Sequence, residues 1–296
     1  MAQRFVRDDA AVKESVLDLI TQISPTENYF LSNLQRARGN DEYHLVPRDT
    51  LRSPSLVAAV EGADPTYDGN DPTTLLNMMH IISVGFNVTD SEASVDRYGS
   101  PEDRIAYETD KALKDWGDFA EFALVRSTII TGNNSTARQM RGIKNSLSLT
   151  TSQSGVSLSE TILNSYLQDV WTQGANVDLI AVPMALKRRI SGFNANGATK
   201  FYNQDDKRLV TPIEIYESDA SSKPIKLVAH RYVTVSGDTN NDIVGVELDH
   251  FATAWLREPK VRPLAKTGDA ENRQVIGEFT LEARNQYAGF YAQRHY

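Results

Sequence analysis

The stretch Ser100-Pro-Glu-Asp-Arg-Ile-Ala-Tyr-Glu-Thr-Asp-Lys-Ala-Leu-Lys-Asp-Trp-Gly-Asp-Phe-Ala-Glu-Phe-Ala-Leu-Val-Arg126 reads as one long helix. Ser100 is a good N-cap, and Pro101 suits the first helical position, where the backbone N–H has no intrahelical partner in any residue. Glu102 and Asp103 then place negative charge in the first turn, against the positive end of the helix dipole. Ile105, Ala112, Leu113, Trp116, Phe119, Ala120 and Ala123 are expected to form one buried face. At 1.5 Å per residue such a rod is roughly 35–40 Å long, enough to span a domain.

Toward the N-terminus, Ile82, Val84, Phe86 and Val88 alternate with Ser83, Gly85, Asn87 and Thr89, which predicts a strand with one buried face. A shorter extended stretch is expected over Tyr43 to Val46. Between the two lies Leu51 to Thr74, punctuated by Pro54, Gly62, Pro65, Gly69 and Pro72 and much longer than a hairpin turn of about 2–5 residues. It is either a solvated surface excursion or an arm that orders against a neighbouring subunit, and composition by itself favours the first. Further upstream, Val12, Val16, Leu19, Ile20 and Ile23 recur at helical spacing behind Asp8 and Asp9.

Toward the C-terminus, Ser157-Leu-Ser-Glu160 reads as a capping box ahead of Ile162, Leu163, Tyr166, Val170 and Trp171, with Gly174 ending that helix. The polar run Asn145 to Ser154 joins the two helices. Beyond Val177 the pattern turns to short strands over Val177 to Val182, Val210 to Tyr216, Ile225 to Val235, Ile243 to Leu248 and Phe279 to Ala283, with a helix from Pro183 to Ile190. Long helices early and strands late predict an α+β fold.

Composition narrows the chemistry. A chain of 296 residues that is 40% hydrophobic and 24% charged can bury a sizeable core. No segment approaches the roughly 20 apolar residues of a membrane span, and the N-terminus lacks a signal-peptide core, so a soluble, non-exported protein is expected. The absence of cysteine removes disulfides, thiolate catalysis and thiolate metal sites. A formal net charge of −8 is opposite to the basic footprint of a tight nucleic-acid binder, and suits a protein that stays soluble at high concentration.

The search for an active site is negative. His44, His80, His230, His250 and His295 form no close metal-ligating pair, and Asp249-His250 stands without a serine elbow. Neither common nucleotide-cradling glycine loop is present. Lys266-Thr-Gly268 lacks the Ser-x-x-Lys partner that would make it a β-lactamase element, and Lys187-Arg-Arg189 is placed at a helix C-terminus, where cations complement the dipole. The expectation is no catalytic, cofactor-binding or metal-binding residue.

Four blocks, in order, resemble the tailed-phage major capsid (major head) protein family. The first is Ile23-Ser-Pro-Thr-Glu-Asn-Tyr-Phe-Leu-Ser-Asn-Leu34 with Tyr43-His44 and Asp49-Thr-Leu51. Here Leu45-Val-Pro-Arg48 stands where the family usually carries an aromatic residue. The second runs from Leu76-Asn77 through Val88-Thr89 to Gly99, and the third is Arg138-Gln-Met-Arg-Gly-Ile143. The fourth and most specific is Pro263-Leu-Ala-Lys-Thr-Gly-Asp-Ala-Glu-Asn-Arg-Gln-Val-Ile-Gly-Glu-Phe-Thr-Leu-Glu-Ala-Arg-Asn285, which absorbs the Lys-Thr-Gly tripeptide.

The resemblance implies a Hong Kong 97-like phage capsid fold: an N-terminal arm (1–40), an extended loop (41–91), a peripheral domain (92–174 and 256–296) with a spine helix over 100–126, and an axial domain (175–255). Residues 256–290 would return as a strand to the peripheral sheet. The short segment ahead of the loop implies a separate scaffolding protein, or none, in place of a fused one. The implied function is an icosahedral head built from hexamers and pentamers around double-stranded DNA, with no cofactor. Its implied partners are further copies of itself, a portal, a scaffolding or decoration protein, and DNA through weak non-specific contact. The location implied is the virion after assembly in the host cytoplasm. Leu56, Val57 and Val60 are the residues of the loop expected to touch a neighbour. An encapsulin-like compartment shell and, further off, an enzyme with an unrecognised site are the alternatives.

Overall fold

A computed structural model describes residues 28–295 apart from 53, 55, 57, 65–68, 96–103, 154, 194–201, 204–207, 210–214, 217–223, 235–240 and 267. The helix expected over 9–23 and the Ser100 start of the long helix lie outside the described residues. In chain order the elements are α1 (Tyr29–Asn33), β1 (Gln35–Arg38), β2 (Tyr43–Arg48), β3 (Thr73–Met78), β4 (His80–Thr89), α2 (Asp90–Ser94), α3 (Arg104–Arg126), α4 (Ile143–Ser146), β5 (Leu149–Ser152) and α5 (Glu160–Thr172). They continue with β6 (Leu179–Val182), α6 (Met184–Ser191), β7 (Tyr202–Asn203), β8 (Arg208–Leu209), β9 (Ile215–Tyr216), β10 (Ile225–Ala229), β11 (Asn241–Val246), β12 (Phe251–Pro263), β13 (Ala270–Ala283) and β14 (Gly289–His295).

Two sheets carry the fold. One has the order β1-β12-β13-β4 and the other the order β5-β14-β11-β6-β10-β9. The expected alternating strand is β4, which pairs antiparallel with β13 over its full length, from His80 opposite Phe279 to Thr89 opposite Ala270. The long helix is α3, and it crosses this sheet with Trp116 as its anchor. Trp116 packs on Trp255 and Phe279, and its indole N–H donates to the Ile82 carbonyl at 3.1 Å. The ring lies so close to β13 that a Cβ on Gly277 would come within 2.5 Å of it, which explains glycine at that position.

The helix face differs in part from its sequence reading. Ala112, Trp116, Ala120, Ala123 and Leu124 are buried, but Leu113 and Phe119 are exposed, Phe119 by 55%. A run of steps of three, from 113 to 116 to 119, drifts by about 60° per step on a helix of 3.6 residues per turn, so it leaves the face that steps of four retain. Trp171, in the last turn of α5, is also exposed, by 61%, whereas Leu163, Tyr166 and Val170 are buried. The N-cap of α5 is Ser159, whose hydroxyl accepts from the Ile162 N–H, and Ser157 lies outside the helix. Gly174 follows the helix at φ +86°, as its C-terminal position requires.

The largest departures concern strands. β13 begins nine residues before the Phe279 that local pattern gives, inside the 256–290 strand return that the resemblance implies, and local pattern shows neither β12 nor β14. The reason is polar sequence: Glu271, Asn272, Arg273 and Gln274 in β13 and Arg257, Glu258, Lys260 and Arg262 in β12 hide the period-two pattern. Pairing between long neighbours supplies what local preference does not. β14 inserts between β5 and β11, so the chain end joins the six-stranded sheet and β13 the four-stranded one. The run Asn145 to Ser154 is also more than a connector, because β5 pairs parallel with β14 from Leu149 to Ser152. β10 ends at Ala229, short of the expected Val235, and of Val210 to Tyr216 only β9 falls within the described residues.

Two histidines make stability depend on pH. Burial holds the imidazole of His80 below its ordinary value, and burial does the same for His295, partly offset by its contact with the Val156 carbonyl and by Asp242. A depressed value in the folded chain means that the unfolded chain binds more protons below its own titration point near 6.5. Stability is therefore complete above about pH 7 and falls as acid is added, by up to about 1.4 kcal/mol per pH unit for each histidine. Urea midpoints taken between about pH 7.5 and pH 5 check this, and a midpoint that stays level would refute it.

Candidate intersubunit surface

β2 and β3 form an antiparallel hairpin from Tyr43 opposite Met78 to Arg48 opposite Thr73, and residues 49–72 extend from its end. The root is held firmly. Asn77, buried, donates from Nδ2 to the Leu281 and Arg141 carbonyls at 2.7 and 3.1 Å, while its Oδ1 accepts from the Arg141 N–H at 2.7 Å. His44 Nε2 meets Glu282 Oε2 at 3.0 Å, and Arg48 donates to the Ala283 carbonyl at 2.8 Å and to Gln286 at 3.1 Å. Burial opposes ionisation of Glu282, yet Arg284 and His44 outweigh it and hold the carboxyl below its usual range. Val46, Met78 and Met79 close the apolar side of this root.

The far end has no such support. Every described residue from 49 to 72 is exposed, and the hydrogen bonds found there are internal: Asn70 Nδ2 to the Thr50 carbonyl at 3.0 Å and the Ala63 N–H to the Val60 carbonyl at 3.0 Å. Leu56 is fully exposed, Leu51 is 96% exposed and Val60 80%. Val57 lies outside the described residues. A rigidly rooted hairpin thus presents several apolar side chains that no described residue covers. Exposed apolar side chains grouped in this way mark interaction surfaces.

No constellation competes with it as a site. Among the described residues no group of three His, Asp or Glu could hold a metal ion. The five histidines are dispersed. His44 pairs with Glu282, His230 with Glu121 and His295 with Tyr166, His80 Nδ1 accepts from the Met140 N–H at 3.4 Å, and His250 lies 3.7 Å from Glu247 with no contact to Asp249. Arg188 and Arg189 occupy the last turn of α6, as their role at a helix C-terminus predicts, and Lys266 and Gly268 lie in the turn between β12 and β13.

Sequence reading missed two features. One is the apolar flank of α3 formed by Phe119 and Phe122, for which drifting three-residue spacing was the available signal. The other is a buried knot around Glu121. Its carboxylate accepts from the Phe30 N–H at 2.7 Å, the Leu31 N–H at 2.8 Å and His230 Nε2 at 2.9 Å. It thereby caps α1 from a distance, since Asn28 makes no side-chain cap there. Nothing in local sequence joins positions so far apart.

No curated protein matches the chain by sequence. Its fold is similar to that of a protein of Mycobacterium phage Bobi, at 12% identity and TM-score 0.68 over 99% of both chains. It is similar also to the capsid of Myoviridae phage XM1, at 10% identity and TM-score 0.63 over 99% of both chains. The holo-SrpI encapsulin complex of Synechococcus elongatus PCC 7942 is a further likeness, at 11% identity and TM-score 0.64 over 99% of this chain and 95% of that one. The sequence model of the SU10 major capsid protein family matches residues 3–293. With that match over nearly its whole length, the chain belongs to the SU10 major capsid protein family.

Proposed function

We propose that this major capsid protein of a tailed phage closes, as hexamers and pentamers, into an icosahedral head around double-stranded DNA, with residues 49–72 reaching a neighbouring subunit. The observation that carries the reading is the anchored hairpin whose tip exposes Leu51, Leu56 and Val60. Leu56, Val57 and Val60 are the proposed contacts. A modest contact of this kind, repeated around a closed ring, adds up to a stable shell. In this reading residues 1–40 are the arm, 41–91 the extended loop, 92–174 the peripheral domain with α3 as spine, and 175–255 the axial domain. Residues 256–296 complete the peripheral domain, where β13 belongs to the four-stranded sheet and β14 to the six-stranded one.

The reading needs neither catalysis nor a cofactor. Its partners are further copies of the chain, a portal, a scaffolding or decoration protein, and packaged DNA held by weak, salt-sensitive contact, because a net charge of −8 leaves only local patches for phosphate. The protein would reside in the virion after assembly in the host cytoplasm. The encapsulin likeness supports a second reading, a compartment shell, because the fold matches both kinds of shell about equally well. The family match favours the phage.

Electron microscopy of the purified protein tests assembly: closed shells, tubes or capsomers are expected, and a compact monomer at high concentration by light scattering would overturn the proposal. Nuclease-protected DNA in native particles would then decide for a phage head over a compartment.

A further inference from the structure

The four-stranded sheet has two unlike faces. On one, Gly277 and Phe279 of β13 turn toward Trp116 of α3. On the other, Glu278 and Glu282 turn toward the arm root, where Arg138 bridges Glu278 to Glu42 and His44 meets Glu282. Side chains two apart along a strand share a face, so Gln274 and Ile276 continue this second face outward, beyond the root. The pairing register sets Lys260 and Ser83 on either side of Ile276, and Arg262 and Gly85 on either side of Gln274.

The inner half of this face is closed and the outer half is open. Glu278 and Thr280 are buried, whereas Ser83, Gly85, Asn87, Lys260 and Arg262 are exposed, as are Ile81 and, at the rim, Leu264. Neither Lys260 nor Arg262 has an ion-pair partner among the described residues. The arm tip is their complement. Its described residues carry Asp49, Glu61, Asp64 and Asp71 against Arg52, all exposed, around the exposed Leu51, Leu56 and Val60. Acidic and apolar groups on the tip thus match basic and apolar groups on the face. Tip and face are both bare in the same chain, so the tip is not seated on its own subunit and the match is open to a second copy. The apolar flank of α3 is a poorer match, because Arg126 beside it already stacks over Phe122 at 5.4 Å.

We propose, building on the arm reading above, that the outer half of this face, from Ile81 and Ser83 across Ile276 to Lys260 and Arg262, is the seat on which the arm tip of a neighbouring copy docks. The tip's carboxylates meet Lys260 and Arg262, and its apolar side chains cover Ile81, Ile276 and Leu264. The subunit's own arm root and the neighbour's arm tip then lie end to end in one layer and close the whole face.

Charge exchange in the full chain tests the seat. Lys260→Glu with Arg262→Glu is expected to leave the circular dichroism spectrum unchanged, because both side chains are exposed, and to cut the yield of closed particles by about tenfold or more at low ionic strength. Glu61→Lys with Asp64→Lys should do the same from the other side, and the four substitutions together should restore particles. Natural yield from Lys260→Glu with Arg262→Glu, or no recovery in the fourfold variant, overturns the seat. Should the sheet variant fail to fold, crosslinking decides, since the natural chain has no cysteine. In particles carrying Val60→Cys and Ser83→Cys a short bismaleimide should give intersubunit ladders on a denaturing gel, and in particles carrying Val60→Cys and Phe119→Cys it should give none. Any other pattern overturns the seat. Deleting 50–72 separates the seat from the arm itself. Shells lost on deletion but kept after Lys260→Glu with Arg262→Glu leave the arm and refute the seat, whereas shells kept on deletion refute both.

Discussion

Replacing residues 50–72 by a short Gly-Ser turn is expected to leave a folded subunit that no longer closes into shells. Folding should survive because the described part of this segment contributes no buried residue and no hydrogen bond to the body, whereas the β2–β3 root carries the contacts to Glu282, Ala283, Leu281 and Arg141. Shortening a flexible loop changes its closure entropy by only about 0.6 kcal/mol per halving of length. Assembly should fail because burying one Leu or Val of the arm against a neighbour is worth roughly 1.5–3 kcal/mol, and every subunit of a shell loses that contact at once. Far-ultraviolet circular dichroism and electron microscopy on one sample read both halves of the outcome. Native-like spectra together with intact shells would show that the segment is a solvated excursion, and the arm assignment would fall.

The largest single-residue loss of subunit stability is expected at Glu121. Glu121→Leu removes the acceptor for the Phe30 N–H, the Leu31 N–H and His230 Nε2 together, and strips two buried donors and one part-buried donor of that acceptor. Breaking a buried charged network from one side costs about 3–5 kcal/mol, a large part of the stability of a domain. Glu121→Gln retains one acceptor oxygen and should lose less. Urea unfolding of unassembled subunits distinguishes the two variants. If Glu121→Leu unfolds at the same urea concentration as the natural protein, the carboxylate is not the tie between α1, α3 and the segment after β10.

Much of the molecule was legible locally. β4 was readable because alternation of Ile82, Val84, Phe86 and Val88 is a property of adjacent residues, and α3 because its helical period persists over many turns. The four family blocks pointed to a phage capsid subunit, which the family match over residues 3–293 bears out. The 49–72 excursion with its hairpin root divides differently. Its length and its proline and glycine content are plain in the sequence, but its rooted and naked ends are not, since the anchors Glu282 and Leu281 lie more than 200 residues from His44 and Asn77.

What the sequence by itself determined is each element whose signal is carried by neighbours in the chain: the long helix α3, the alternating strand, the end of α5 at Gly174, and the absence of thiol chemistry. Only the tertiary structure decided where charged strands such as β12 and the first half of β13 run, because their partners, and not their own preferences, make them strands. It likewise decided which flank of α3 faces water, and it placed one carboxylate where it caps a helix 90 positions away and meets an imidazole 109 positions away. Such contacts form between surfaces brought together by folding, so no window along the chain contains them.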